Sequence, residues 1–258
     1  MTAEWKQAAL PSEHGGWGLT LEPVLLGLLI APSWGGLSLG LAAFAAFLVR
    51  TPLKLTVIDH RRTQWQRRSQ LALRFAVGEL LLLGVCGVWA VAVAGWSWAV
   101  PVLCAVPLVA VELWFDVRSR GRRLLPELCG SAAISAVAAA IVVAGGHSTR
   151  LAVGAWLVLA ARSVGAIPFV RMQIMRLRRG AADVRPSDRA QAAALAIGMV
   201  AVVLDQQLLA GLGWLVLLAA LQMVWVRRKP VAPKVLGLRQ MALGVGLVLA
   251  TSTGVWML

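Results

Sequence analysis

Apolar residues in this chain fall in long runs, broken by short clusters of arginine, glycine and proline. Neither the strict alternation of a half-buried strand nor the narrow stripe of a surface helix describes them. A helix needs about 20 mostly apolar residues to cross the hydrocarbon core of a bilayer. The pattern predicts nine such spans, at 15–31, 34–49, 71–92, 97–115, 126–145, 151–170, 190–205, 209–226 and 240–257. The fold class expected is therefore all-α, a polytopic membrane helix bundle forming a single transmembrane domain over 1–258. The loops expected on the cytoplasmic side are 51–70, 115–125, 171–189 and 227–239, the first and third long enough for a short surface helix.

Charge placement tests the count. Of the 25 basic residues, 23 lie at the N-terminus or in every second connection, Arg150 alone lies in the other connections, and Arg162 lies inside the sixth span. Basic residues mark the cytoplasmic side, so the N-terminus is expected inside and the C-terminus outside. One span more or fewer would break the alternation. The polar, glycine-rich start MTAEWKQAALPSEHGGWG lacks the pattern of a cleavable leader. A multi-pass protein of the plasma membrane, the inner membrane of a bacterium, is the expectation.

Composition agrees. Hydrophobic residues make up 59% of the chain and charged residues only 14%, against about 25% charged in soluble domains. Mean hydropathy is +0.78. A formal net charge of +14 would suggest nucleic acid in a soluble chain. Here the short basic turns are explained by topology and by contact with the bilayer and its anionic headgroups, so no nucleic-acid partner is expected. Cys86, Cys104 and Cys129 stand far apart in apolar runs, without the spacing of a metal or redox site, and read as buried small hydrophobes.

Candidate chemistry is confined to a few places. Charges within a span are costly and are either paired or functional. Here they are Glu22, Glu79, Glu112, Glu127 and Arg162. Glu22 precedes Pro23, where a kink or break is expected. Arg162 wants a carboxylate partner, either Glu22 or Glu112. At the start of the first span, Glu13 and His14 sit in a glycine-rich entry and are the candidate proton carriers. Ser12 or Glu13 would otherwise cap that helix. Glu112 and Asp116 share a helical face, and Arg118, Arg120, Arg122 and Arg123 follow. Guanidinium forks suit phosphate oxygens. The ligand-binding set expected is Glu22, Arg50, Glu112, Asp116, Arg118, Arg122, Arg123 and Arg162. Asp183 and Asp188 lie five apart between basic residues, and Ser187-Asp188 reads as a helix cap. No metal site and no cofactor is expected, and no phosphate-binding glycine loop or hydrolase elbow occurs.

The stretch P-S-E-H-G-G-W-G-L-T-L-E-P, from Pro11 to Pro23, resembles the opening of the YwiC-like membrane proteins, a Pro-x-Glu-His-Gly-x-Trp element followed by proline. R-T-P-L-K-L from Arg50 and the block from Glu112 to Gly130 are similar to their later blocks. The plan of nine helices also resembles the UbiA superfamily of intramembrane prenyltransferases, with Trp114, Arg118, Pro126 and Gly130 matching the shape of its fourth-to-fifth helix turn. That likeness implies an isoprenoid or lipid phosphate ligand met from the cytoplasmic side. It also implies Asp-rich motifs in both large loops. This chain has V-I-D-H-R-R around Asp59 and R-M-Q-I-M-R-L-R-R-G from Arg171 at those places. Any transfer reaction would then proceed without a bound metal pair. The alternative is a non-enzymatic transporter, or an assembly factor for a respiratory or cofactor complex.

Overall fold

The structure, a computed structural model, describes residues 14–61, 66–118, 121, 123–180 and 182–257. These residues form nine α-helices and one short 3-10 turn: α1 (His14–Ile30), α2 (Trp34–Arg61), α3 (Arg67–Ala94), α4 (Ala99–Val117), α5 (Leu124–Ala144), α6 (Thr149–Arg179), α7 (Arg185–Leu204), the turn Gln206–Leu208, α8 (Leu209–Trp225) and α9 (Pro233–Met257). No strand occurs among the described residues. Helices are what lipid permits, since each backbone N–H and C=O must be satisfied within its own segment. Eight of the helices are long and apolar enough to cross a membrane. The apolar part of α1, Gly16–Ile30, is shorter. The whole of α1 has 17 residues, about 25 Å, against the roughly 30 Å of a bilayer core.

Two expectations need correcting. The helix α1 continues through Pro23 without a break, because the packing of α5 and α9 around it holds the helical path. The long segments 51–70 and 171–189 are mostly helix. The helix α2 runs on through Pro52 to Arg61 and α3 starts at Arg67, while α6 runs on to Arg179 and α7 starts at Arg185. Each extension is stitched to a neighbour. Ser69 donates to Asp59 at 2.6 Å across the α2–α3 hairpin. Gln173 and Arg176 of α6 donate to the carbonyls of Trp225, Val226 and Arg228 at the end of α8, satisfying acceptors that a helix C-terminus leaves open.

Contacts fix the alternation of the helices. At one end of the bundle Arg50 and Lys54 of α2 meet Glu112 and Asp116 of α4, Arg171 of α6 meets Glu127 of α5, and Arg227 after α8 meets Asp188 of α7. At the other end Gly35 of α2 faces Ala94 and Ala144, and the Trp256 indole of α9 donates to the Leu29 carbonyl of α1 at 2.7 Å. All the described basic connections therefore share one end. Trp34, Trp96 and Trp256 stand exposed at the opposite end, as an aromatic belt does at a lipid–water boundary.

The core lies between α1, α5 and α6. Ala138, Ala139, Val142, Ala155, Val158 and Ala161 are buried there with Leu26 and Ile30. Small residues let backbones approach where water supplies no squeezing force. Gly27 is one case: a Cβ there would overlap Ile141 and reach 3.2 Å from the Ala138 carbonyl. The outer helices α3 and α4 show most of their apolar side chains at the surface.

Candidate functional site

The first charged constellation sits in the middle of the bundle. Arg162 of α6 and Glu22 of α1 form an ion pair at 2.8 Å, with side chains 7% and 6% exposed. The same guanidinium nitrogen donates to the Gln240 carbonyl of α9 at 2.8 Å. Gly244, one turn along α9, lies against the pair so closely that a Cβ would overlap Glu22 Oε1. Three helices are thus tied at one point. Of the two partners expected for Arg162, the fold selects Glu22. Arg162 Nε and Gln240 Nε2 are buried without acceptors among the described residues.

The second constellation lies at the basic end, where α2, α4 and α5 meet. Arg50 pairs with Glu112 at 2.8 Å and Lys54 with Asp116 at 3.2 Å. Glu112 and Asp116 share a face of α4, as their four-residue spacing requires. Gly130 of α5 leaves the space that Glu112 occupies, since a Cβ there would stand 2.6 Å from its Oε2. Glu127, in the first turn of α5, pairs with Arg171 at 2.9 Å. Arg118 closes α4 and lies over the Trp114 ring, 3.8 Å from the centroid. Arg123 is the exposed N-cap of α5. Among the described residues no carboxylate pairs with Arg118 or Arg123, whereas Arg50, Lys54 and Arg171 each have one.

The structure therefore separates the expected ligand-binding residues into two groups. Glu22 and Arg162 belong to the core. Arg50, Glu112, Asp116, Arg118 and Arg123 gather at the basic end. Glu13 and Arg122 lie outside the described residues, as does Ser12. His14 is the first residue of α1, and its side chain also lies outside what is described. The cap expected at Ser187-Asp188 falls elsewhere: α7 begins at Arg185, Asp188 stands in its first turn, and Asp188 binds Arg227 at 2.7 Å. That hydrogen bond raises the Arg227 guanidinium above its ordinary pKa. Of the cysteines, Cys86 is buried, but Cys104 is exposed and Cys129 half-buried. Exposure on α4 is to lipid, where a small apolar side chain costs nothing. Among the described residues no three His, Cys, Asp or Glu come together in metal-binding fashion.

Sequence reasoning passed over several members. Lys54 and Arg171 looked like ordinary loop charges, and only the helical extensions bring them to Asp116 and Glu127. Gln191 and Gln222, 3% and 2% exposed, join α7 to α8 by a 3.0 Å hydrogen bond, and Gln191 also donates to the Gly165 carbonyl of α6. An amide inside an apolar run is a visible signal in lipid, and it was there to be read.

Set beside known proteins, residues 10–142 match the family model of the YwiC-like proteins. The match takes in α1 to α4 and nearly all of α5, hence Glu22 and the whole α2–α4–α5 cluster, but not Arg162 or Arg171. No curated protein and no solved structure matches the chain.

Proposed function

The chain belongs to the YwiC-like family, and from that premise we propose that this multi-pass membrane protein binds the phosphate end of an anionic amphiphile at its basic end, between α4 and α5. One observation carries the reading. Arg118 lies over the Trp114 ring and Arg123 stands at the N-cap position of α5, and among the described residues neither has a carboxylate partner, whereas Arg50, Lys54 and Arg171 do. A guanidinium held on an aromatic face keeps its outer N–H groups for a ligand. The N-terminus of α5 adds backbone N–H groups and the positive end of its dipole. Arg122 lies between the two in sequence. Trp114 supplies an apolar wall where a lipid chain would leave the headgroup.

An isoprenoid or lipid phosphate suits this combination of cation, aromatic ring and lipid boundary. We read the helix plan as a UbiA-like scaffold in a bacterial inner membrane, and the positive-inside rule supports a cytoplasmic position for this end. Glu112 and Asp116 are committed to Arg50 and Lys54, so the donor set favours phosphate held by arginine over a bridging metal. In a transfer reaction Arg118, Arg122 and Arg123 would neutralise the phosphate, with His14 or Glu13 moving the proton. A transport route is the other reading, through Glu22 and Arg162. That pair is closed off by Gln240 and Gly244 and almost fully buried, which favours a clasp over a path.

The test is binding of farnesyl phosphate to purified protein by microscale thermophoresis. Arg118→Ala with Arg123→Ala is expected to weaken binding by at least about tenfold, each charge-assisted contact being worth roughly 1.5–3 kcal/mol. Unchanged affinity would sink the proposal.

A further inference from the structure

One helix has a face that the proposed site does not use. The helix α3 packs on α2 through Ser69, Ala72, Ala76, Cys86 and Ala90. On its far side, Arg67, Arg74, Leu81, Val85, Val88 and Ala92 follow at spacings of seven, seven, four, three and four, which is a single helical row. Arg67 and Arg74 are exposed, and Leu81, Val85 and Val88 are 64%, 67% and 72% exposed. The apolar part of the row is the open face of this one helix, with a shallow notch at Gly84 beside Trp89. A Cβ on Gly78, Gly84 or Gly87 would meet nothing within 4 Å.

We propose that this face is a seat for one anionic phospholipid of the leaflet on the basic side. Charge complementarity identifies the occupant. The head of the row is doubly cationic, so it calls for a phosphate, and the remainder is an exposed apolar face, so it calls for an acyl chain. A neighbouring transmembrane helix would have to bring its own carboxylates to the same height. Geometry agrees. Side chains on a helix lean toward its N-terminus, and the N-terminus of α3 is at the basic end, so Arg67 and Arg74 reach up toward the headgroups. Leu81 begins about 10 Å below Arg74, and a lipid held by its phosphate lays its chains over Leu81 and Gly84. The helices α2 and α3 have 28 residues each, about 42 Å, the thickness of a bilayer with its headgroup layers. Their basic extensions therefore stand among the phosphates.

Native mass spectrometry of the protein, released from nanodiscs of equal phosphatidylglycerol and phosphatidylcholine, tests this. One phosphatidylglycerol is expected to be retained in preference. Arg67→Gln with Arg74→Gln should cut that preference roughly tenfold or more, the worth of two arginines at an anionic surface. Gly84→Leu, which has room to fold, should lower retention of both lipids by filling the notch beside Trp89. Arg150→Gln at the opposite end should change nothing. Equal retention of the two lipids, or a preference that survives loss of both arginines, would overturn the proposal. So would a dimer that Gly84→Leu dissociates, because a second copy would then own the face. In an Arg118→Ala, Arg123→Ala background, which removes the α4–α5 site, Arg67→Gln with Arg74→Gln should still cut the preference for phosphatidylglycerol, so this seat and the α4–α5 site stand or fall separately.

Discussion

Arg162 is a guanidinium buried in the middle of the bundle, and only its partners make that tolerable. A guanidinium does not discharge by losing its proton, so Glu22 and the Gln240 carbonyl must hold it. Removing one partner of such a buried pair costs more than the pair itself contributes, because the other charge is left alone. Glu22→Gln and Arg162→Gln are each expected to lower stability in detergent by about 3–5 kcal/mol, read from thermal unfolding. Glu22→Met combined with Arg162→Met should lose markedly less than either single change. Equal losses in all three would mean that packing rather than charge is what matters there. Gly244→Ala should be nearly as harmful, since its methyl group would push α9 off the pair. At the basic end the same logic is gentler, because Arg50 and Lys54 remain about half exposed and solvent screens their pairs.

Among the elements, the extensions of α2, α3 and α6 do the positioning. The α2–α3 hairpin is closed by Asp59, 3% exposed, which accepts from Ser69 and Arg68. Asp59→Ala would leave Ser69 buried with its acceptor gone, at about 1–3 kcal/mol. Trypsin should then nick the hairpin between Arg61 and Arg67 much faster than in the parent protein, and unchanged cutting would show that the hairpin is held by its apolar seam alone. On the other side, α6 caps α8 through Gln173 and Arg176. The Asp188–Arg227 contact ties α7 to the end of α8. The Arg227 pKa is raised by that contact, so its contribution is complete below the ordinary arginine value and is lost only as the pH rises through the raised one. Proximity of the two segments, followed by cross-linking or fluorescence, should accordingly stay constant between about pH 6 and 10.

At the scale of the whole molecule, the shared basic end and the opposite tryptophan belt imply one orientation in the bilayer. In a background with the three native cysteines changed to alanine, a cysteine at His147 should react with a membrane-impermeant maleimide in intact cells. One at Arg61 should react only after the cells are opened. The reverse pattern would invert the topology and put the α4–α5 site on the outer face. Hydropathy and loop charge were enough to place the nine α-helices of the described residues, eight of them long and apolar enough to cross a membrane, and the general position of the candidate arginines. Both are one-dimensional properties, because lipid selects span length directly and basic side chains avoid crossing. Pairing is a matter of three dimensions. Nothing along the chain distinguishes Glu22 from Glu112 as the partner of Arg162, and the choice fell to whichever helix packed against α6. Nor does local sequence say that residues 51–61 and 171–179 continue their helices. A polar segment behind Pro52, or one as rich in arginine as 171–179, reads as a loop until a neighbouring helix gives its side chains partners and makes the helix the lower-energy state.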